Sequence, residues 1–298
     1  MTFLFIKQDD PLFEFFRVHS FALKNKTFSP FLFDSFRRSI HEFYLHNKRE
    51  FSWRNAITPY RIVVSEIMLQ QTQTQRVEQK FDFFLQHFPD FESLACAELS
   101  DVLRVWVGLG YNRRARVLHA IAQQVVKEWG GKLPSDVVLL ETLYGIGPAT
   151  AASIVAFAFN KPTIFIETNI RAVFLHIFFN NEESISDVFL MPLVEAALDV
   201  NSPREWYYAL MDYGVIIKKI YENPAKRSKH YVQQPKFEGS DRQIRGGIVK
   251  LAARTKMVTV DQIQAHFSWA DVEKIAEVID GLVKDGLVKS NGKIVVLA

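Results

Sequence analysis

Apolar residues recur at intervals of three and four from Pro30 to about Tyr221, and this spacing constrains the fold more than any other feature of the sequence. The pattern begins at Phe33, Phe36, Ile40, Phe43 and Tyr44. Such spacing places apolar side chains on one face of an α-helix, whereas the alternation typical of strands is scarce. The sequence therefore predicts an all-α fold over this stretch.

Proline and glycine divide the stretch into helices of ordinary length. The breaks lie at Thr58-Pro59, Pro89, Gly130-Gly131, Pro134, Gly145 to Pro148, Pro162, Pro192 and Pro203. Residues 1–30 are rich in Phe but carry little periodic signal, and we treat them as an N-terminal extension.

The C-terminal residues have a different pattern. Residues 222–240 combine Pro, Gly, Ser and charge without apolar periodicity, which is typical of a linker. Helical patterns follow at about 241–254, 260–266 and 269–284, and then two β-rich runs flank Asn291-Gly292, a hairpin signal that needs a positive φ at both turn positions. Three helices and a hairpin predict a winged-helix-like α+β module over 241–298, a kind of module that binds DNA in some proteins and only other proteins in others.

Charge and cysteine usage limit the function classes. Cys96 is the only cysteine of the 298 residues, so thiolate-based metal sites and internal disulfides are excluded. The segment from Lys218 to Lys256 contains eleven basic residues against three acidic ones, an excess that suits a polyanion but is also found in solvated linkers. No apolar run is long enough to span a membrane, and Lys7 interrupts the opening apolar residues, so we expect an intracellular protein without membrane contact.

Glu66 is a candidate catalytic residue because it interrupts an apolar helix face. Thr58 and Pro59 form a favourable helix start, and the residues from Ile62 to Leu69 are apolar except for Ser65 and Glu66. Desolvation in such surroundings is expected to raise the pKa of the Glu66 carboxyl towards the range of a general acid. The competing interpretation is a carboxylate at the edge of the buried stripe that reaches water or pairs with an arginine.

A second carboxylate, Glu167, follows an apolar run and precedes another helical pattern. Two carboxylates in apolar surroundings can share one reaction, with one acting as the acid and the other stabilising a cation. The sequence leaves open whether the fold brings Glu66 and Glu167 together, and either one can instead be structural.

Glycine turns precede two helical patterns. Gly145 to Pro148 spells Gly-x-Gly-Pro, and the backbone N–H groups of such a turn suit a phosphate. Gly108 to Arg116 places Arg113, Arg114 and Arg116 after a glycine turn, where they can neutralise phosphates. Helix packing and an ordinary solvated helix face are the alternative interpretations of these two segments.

Taken together, these segments resemble the helix-hairpin-helix (HhH-GPD) DNA glycosylases, most closely the MutY-type adenine glycosylases. The likeness covers about 50–240 and includes Ser52-Trp53-Arg54, Thr58-Pro59-Tyr60, Ser65 to Thr72, Gly108 to Arg116 with Leu118, Gly145 to Thr150, Asn169, Met211-Asp212 with Gly214, and Gly239 to Gly246. The resemblance implies a cleft between two helical subdomains, here 31–58 with 165–221 and a six-helix subdomain over 59–164, followed by the basic linker 222–240.

The resemblance also implies roles for single residues. Glu66 would protonate the flipped adenine at N7 and later help to activate water, Glu167 stands where the family has its catalytic aspartate, and Asn169 would assist near the sugar. The implied DNA contacts are Gln70, Gln71, Leu109, Tyr111, Arg113, Arg116, Gly145, Gly147 and Thr150, of which Gln70, Gln71 and Leu109 would fill the stack vacated by the base. The implied base pocket consists of Trp53, Arg54 and Ala149, and the turn from Gly145 to Gly147 would also hold an alkali cation.

Several positions depart from the family pattern. Glu167 is one methylene longer than the aspartate, and a displacement of about 1 Å can cost a hundredfold in rate. Ala149 replaces both the lysine of bifunctional relatives and the Tyr or Ser of adenine-specific members, so no Schiff base can form there. The stretch after Tyr213 lacks the four cysteines of the family's iron–sulfur cluster, so no cofactor is expected. The module at 241–298 also differs from the C-terminal domain that senses 8-oxoguanine in many relatives.

We therefore expect a monomeric, monofunctional DNA glycosylase of base excision repair, located in the cytoplasm or on a prokaryotic nucleoid. It would bind double-stranded DNA and excise a mispaired base, with adenine opposite guanine or 8-oxoguanine as the leading substrate. Two alternatives stay open: a glycosylase for thymine, uracil or hypoxanthine with the same fold, and a catalytically silent winged-helix regulator that binds DNA.

Overall fold

The computed structural model describes residues 7–179 and 182–298, and within them it confirms the predicted helical fold with a small C-terminal sheet. The helices are α1 (Phe13–Lys24), α2 (Pro30–Asn47), α3 (Ser52–Asn55), α4 (Pro59–Leu69), α5 (Thr74–His87), α6 (Phe91–Cys96), α7 (Leu99–Trp106), α8 (Arg113–Trp129), α9 (Val137–Glu141), α10 (Pro148–Phe159), α11 (Thr168–Phe178), α12 (Asp187–Ala197), α13 (Pro203–Ile220), α14 (Asp241–Thr255), α15 (Val260–His266) and α16 (Val272–Lys284). A 3-10 turn covers Pro224–Arg227, and the strands are β1 (Met257–Thr259), β2 (Val288–Ser290) and β3 (Ile294–Leu297). No described helix combines the length and the apolar character that a membrane span needs.

The chain forms two compact units, whose boundaries differ from the predicted subdomains. The first unit is the described part of Met1–Glu50 with Gly147–Gln233, and the second is Phe51–Ile146 with Gln234–Ala298. Helix α10 therefore belongs to the first unit rather than to the six-helix subdomain. The C-terminal module is part of the second unit, because α14 and β3 pack against α7.

The core of the first unit is aromatic. Phe36 of α2 packs edge-on against Phe174 of α11 and Trp206 of α13, with ring centroids 5.9 and 5.5 Å apart. All three side chains are fully buried, and α11 and α13 form the most extensive helix pair of the unit. The core also includes α1, which the sequence pattern did not predict and which buries Phe15 and Phe16.

Asp10, just before α1, is a buried acceptor that ties the N-terminal residues to this core. Its carboxylate accepts hydrogen bonds from the hydroxyls of Tyr213 and Tyr221 at 2.9 and 2.8 Å and from the Leu12 N–H at 2.8 Å, and it lies 3.3 Å from Nε2 of His176. Burial by itself raises the pKa of Asp10, but the bonds from His176, Leu12 and Tyr221 outweigh burial and hold the pKa below its usual value. Residues 1–30, treated above as an extension, thus contain a structural element of the first unit.

Replacing Asp10 by Ala should destabilise the protein by about 3 kcal/mol, because the hydroxyls of buried Tyr213 and half-buried Tyr221 lose their acceptor. The native-state pKa of Asp10 is depressed, so its contribution is present above the unfolded-state pKa and is lost as pH falls through the folded-state value. In urea denaturation, the free energy of unfolding of the wild type should therefore exceed that of Asp10→Ala at neutral pH, and this difference should decrease as the pH is lowered. The exposed neighbour Asp9→Ala is the matched control, and equal effects of the two substitutions would contradict this role.

The core of the second unit is formed by α4, α5, α7 and α8. Phe84 of α5 packs edge-on against Trp106 of α7 at 6.0 Å, and Val63 of α4 and Leu118 of α8 are fully buried. The hydroxyl of Tyr60 donates to the carbonyl of Phe88 at 2.6 Å, which fixes the start of α4 to the end of α5. The predicted helix start at Thr58-Pro59 is confirmed, since the Thr58 side chain accepts the Arg61 N–H.

The C-terminal module confirms three predicted helices and a hairpin, and it adds a strand that the sequence did not reveal. The sheet has the order β1-β3-β2 with both pairs antiparallel. The expectation of two positive φ angles at Asn291-Gly292 is wrong, because of these two only Gly292 has one, at 82°. Asn291 instead shapes the turn through its side-chain Oδ1, which accepts the N–H groups of Lys293 and Ile294 at 3.1 and 2.9 Å.

The predicted helix break at Pro192 is also wrong, because α12 continues through it. A proline in a helix leaves the carbonyl four residues earlier without its usual donor. Here that residue is Val188, which lies in the first turn of α12 and is 75% exposed.

Candidate active site

Glu66 lies on α4 among fully buried apolar residues. Val63 and Ile67 on either side of it are fully buried, and the Glu66 side chain itself is half-buried. It is the only carboxylate of α4, and it stands one helical turn before Gln70, at the point where the helix ends. The structure thus gives Glu66 the partly desolvated setting that the sequence pattern predicts.

The segment that follows α4 carries Gln70, Gln71 and Thr72. Gln71 is exposed and has a φ of 54°, a left-handed conformation in which a residue other than glycine is uncommon. Gln70 is half-buried and its carbonyl faces the protein. Gln71 is therefore presented outwards while the backbone next to it is held.

The group that holds this backbone is the guanidinium of Arg114 at the start of α8. Its Nη1 donates to the carbonyls of Ile67, Met68 and Gln70, the first two at 2.9 and 2.7 Å. Its Nη2 donates to Thr72 Oγ1 at 2.8 Å and to the carbonyls of Leu109 and Gly110 at 3.3 and 3.1 Å. One side chain thus connects the end of α4 with the turn between α7 and α8.

The prediction that Arg114 neutralises phosphates is wrong. Its side chain is only 8% exposed, and burial lowers its pKa to about 10. The apolar spacing of α8 contains the missed signal, because Arg114 precedes buried Leu118 and Ile121 at positions i+4 and i+7 and therefore faces the core. Arg113, one position earlier, is exposed.

Replacing Arg114 by Lys should destabilise the protein by about 3 kcal/mol, because an ammonium cannot reach both sets of carbonyls at once. Urea denaturation of the full chain measures the effect. Arg113→Lys is the matched control, and it should leave the free energy of unfolding within about 0.5 kcal/mol of wild type. A stable Arg114→Lys variant would show that the two segments hold their geometry without the guanidinium.

The turn from Gly108 to Tyr111 faces the same segment, and its residues divide between surface and core. Leu109 is 1% exposed, and the expected role of its side chain in filling a vacated base stack stays a prediction. Tyr111 has a φ of 47°, is half-buried and lies under the Arg114 guanidinium at 5.4 Å. In these two segments, Gln71 and Tyr111 are therefore the non-glycine residues that have both a solvent-accessible side chain and a left-handed backbone conformation.

Trp53 and Arg54, predicted to line a base pocket, belong to α3. The Trp53 ring is 4% exposed, stacks on Phe51 at 4.7 Å and packs edge-on against Phe81, so most of its surface lies in the core, and its place in a base pocket stays a prediction. The Arg54 guanidinium lies 5.1 Å above the Phe51 ring and is half-buried. Trp53 therefore packs α3 against its neighbours, and Arg54 is the more solvent-accessible residue of the two.

The Gly145 to Pro148 turn uses its two glycines differently. Gly145 has a φ of 81°, and a Cβ there would approach Val117 Cγ1 to 2.7 Å, so the position requires glycine for both conformation and space. Gly147 is the N-cap of α10 with an ordinary φ, and open space surrounds the position of its missing Cβ. No side chain caps α10, and Gly147, Pro148 and Ala149 are exposed while Thr150 is half-buried. The exposed start of a helix with uncapped N–H groups suits an anion.

Glu167 is the N-cap of α11 in the first unit. Its carboxylate accepts the N–H groups of Asn169 and Ile170 at 2.8 and 3.1 Å and the Asn169 side-chain amide at 3.3 Å. Lys218 of α13 donates to the Asn169 Oδ1 at 2.8 Å, and burial lowers the pKa of this lysine while the Glu167 carboxylate opposes the shift. Glu167, Asn169 and Lys218 therefore form one hydrogen-bonded cluster.

Lys218 was visible in the sequence only as a member of the basic run, but Gly214 one turn earlier supplies a signal for its position. A Cβ at Gly214 would lie 2.6 Å from the Asn169 carbonyl oxygen, so glycine permits α13 to approach the start of α11. That approach brings Lys218, four residues later on the same helix face, to Asn169.

The iron–sulfur cluster of the family does not fit this chain, because Cys96 is the only cysteine and lies exposed at the end of α6. The residues after α13 are held by other means. Arg227 donates to the carbonyls of Leu175 and Phe179, and Ile185 pairs with the backbone on either side of Ser228. Within the described ranges, no group of three or more His, Cys, Asp or Glu side chains could hold a metal ion.

Comparison with known proteins decides the family. The model of the HhH-GPD superfamily of base excision DNA repair proteins matches residues 64–189. The adenine DNA glycosylase of Mycolicibacterium smegmatis is 30% identical over 267 residues, which are 83% of this chain and 90% of that protein. This chain belongs to the MutY-type HhH-GPD glycosylases. The family predicted from the sequence motifs is thereby confirmed.

Further relatives agree with this assignment. The adenine DNA glycosylase of Mycobacterium tuberculosis is 27% identical over 278 residues, covering 82% of this chain and 87% of that protein. The structure of a thermostable thymine-DNA glycosylase superposes with a TM-score of 0.57 at 24% identity, covering 68% of this chain and 92% of that one. The latter likeness shows that the HhH-GPD fold is shared.

Proposed function

We propose that this HhH-GPD glycosylase is a monofunctional DNA N-glycosylase that removes adenine paired with guanine or 8-oxoguanine in double-stranded DNA. The observation that carries the proposal is the position of Glu66, the only carboxylate on the buried face of α4 and one turn from the outward-facing Gln70-Gln71 segment. The relatives named adenine DNA glycosylases, aligned over most of the chain, support the choice of base.

Glu66 would donate a proton to the extruded adenine. Protonation at N7 withdraws electrons from the bond between N9 and C1′, so the base leaves as neutral adenine and positive charge develops on the sugar. The same group, now a carboxylate, would then accept a proton from the water that attacks C1′. A half-buried carboxyl on an apolar face suits both steps, because little water competes for its proton.

Glu167 would stabilise the positive charge that develops on the sugar. Its carboxylate is fixed by two backbone N–H groups and by Asn169, and Lys218 fixes Asn169 in turn. Such preorganisation lowers a barrier because the negative group needs no reorientation during the reaction. Lys218 is a positioning residue in this scheme, since it acts through Asn169.

Ala149 supports the monofunctional assignment, because an alanine offers no amine that could attack C1′ and cleave the strand. The uncapped start of α10 and the exposed Gln71 supply groups for the DNA phosphates and for the gap left by the extruded base.

Single-turnover excision on duplexes that differ in one base pair tests the proposal. We expect release of free adenine opposite guanine or 8-oxoguanine, with strand scission only after alkali treatment. Glu66→Gln should slow excision by about a hundredfold to ten-thousandfold, because the shape persists without the acid, while duplex affinity is retained. The exposed Glu78→Gln of α5 is the matched control. Release of thymine, uracil or hypoxanthine in place of adenine, or full activity of Glu66→Gln, would refute the proposal.

The substitution Glu167→Gln distinguishes the electrostatic role of the Glu167 carboxylate from its role as a helix cap. Glutamine keeps an oxygen that can accept the N–H groups of Asn169 and Ile170, so thermal stability should stay close to wild type. Loss of the charge should slow single-turnover excision by about a hundredfold or more. Glu205→Gln, an exposed site on α13, controls for a general effect of removing one charge. An unchanged rate would assign Glu167 a capping role alone.

A further inference from the structure

A cavity of about 950 Å³ in the second unit lies between the catalytic helices and the C-terminal module. One wall is formed by the segments Gln70–Gln73 and Val107–Arg114, and the other by the face of α14 that carries Arg242, Arg245, Val249 and Lys250. The spacing of these four residues on α14 places them on one side of the helix. The cavity therefore joins the module to the segment that presents Gln71.

The charge of this cavity is strongly positive. Its lining includes Arg76, Arg113, Arg114, Arg242, Arg245 and Lys250, whereas Asp285 is its only acidic residue and is paired with Arg245. Arg76 and Lys250 are exposed, and neither side chain has a hydrogen-bond or ion-pair partner among residues 7–179 and 182–298. Two unpaired cations at the rim of a basic cavity suit a polyanion.

In contrast to the cavity, α16 carries more negative than positive charge. This helix corresponds to the DNA-reading helix of a helix-turn-helix arrangement. Its exposed residues include the acids Glu273, Glu277 and Asp280 and one lysine, Lys284. Its other lysine, Lys274, is paired with Asp241, and no arginine occurs along the helix. Carboxylates on the exposed face would meet the phosphates of a bound duplex and repel them. The usual mode of docking is therefore disfavoured for this module.

The module is also fixed to the catalytic part of the unit by polar contacts. Arg242 and Gln234 both donate to the hydroxyl of Tyr111, the former at 3.2 Å. Arg116 of α8 donates to the carbonyl of Asp285 at 2.6 Å. These contacts determine where α14 stands relative to the Gln71 segment, so the cavity has a defined shape.

We propose that the C-terminal module holds the sugar–phosphate backbone of bound DNA through α14, not through α16, with Lys250 and Arg76 neutralising phosphates at the cavity. The proposal rests on the proposed function in that DNA is the bound polyanion. It assigns the module a backbone contact independent of sequence, which adds affinity beside the point where Gln71 meets the duplex. Arg242 is a positioning residue that holds α14 against Tyr111.

The test measures affinity of the full chain for an undamaged duplex by fluorescence anisotropy, at salt concentrations between about 50 and 200 mM. For each of Lys250→Ala and Arg76→Ala we expect weaker binding and a slope of log affinity against log salt that is smaller by about 0.9, the value for one phosphate contact. Lys284→Ala, an exposed lysine at the end of α16, is the matched control and should leave the slope unchanged. Undamaged DNA keeps this measurement separate from base excision, so a protein that excises nothing would still report on α14.

Excision experiments complete the test. On adenine opposite guanine and opposite 8-oxoguanine, Lys250→Ala should lose affinity equally for both duplexes. Unchanged slopes for Lys250→Ala and Arg76→Ala, or a reduced slope for Lys284→Ala, would overturn the assignment to α14. A loss of affinity confined to one opposing base would also overturn it, because that result indicates base reading rather than a backbone contact.

Discussion

The buried guanidinium of Arg114 is the interaction on which the proposed DNA-binding side of the second unit depends. It joins the last carbonyls of α4 to the turn between α7 and α8, and it packs against the rings of Trp106 and Tyr111. A buried charge is costly unless its donors find acceptors, and the carbonyls of these two segments supply them for Nη1 and Nη2, while Nε is buried without a hydrogen-bond partner among the described residues. The left-handed backbone at Gln71 and Tyr111 is held in place by this arrangement, because both residues adjoin the carbonyls that Arg114 binds.

Two consequences for function come from this anchor. Glu66 stands on the helix whose end Arg114 holds, so the acid and the outward-facing Gln71 keep a fixed spacing. Tyr111, fixed by the same guanidinium, accepts hydrogen bonds from Gln234 and Arg242, and the position of the C-terminal module thus depends on the same interaction. Helix α4, the Gln71 segment and the C-terminal module are therefore connected through the side chain of Arg114.

Much of this arrangement could be predicted from the sequence, because apolar periodicity and turn residues are local signals. They located α4 with Glu66, the start of α8, the hairpin at Asn291 and most of the helices. Helix α1 was missed because apolar residues surround it on several sides, and only the fold determines that Phe15 and Phe16 are buried while Phe21 is 77% exposed. Long-range contacts were equally hidden, since Asp10 binds residues 166 to 211 positions away in the chain.

The error over Arg114 has a physical cause. An arginine near a DNA-binding motif suggests contact with the ligand, but its long side chain can also bind buried carbonyls, and Arg114 does so here. The charge distribution of the C-terminal module was similarly ambiguous until the faces of α14 and α16 were known, because the sequence alone gives a sum of charges rather than their direction.

The pH dependence of single-turnover adenine excision tests the central claim, proton donation by a partly desolvated carboxyl on α4, most directly. With enzyme in excess and affinity measured in parallel, the wild-type rate constant should fall by about tenfold for each pH unit on the alkaline limb, as the acid loses its proton. Duplex affinity should stay nearly constant over the same range. A rate constant that rises with pH, or that does not change while the protein stays folded, would contradict the account.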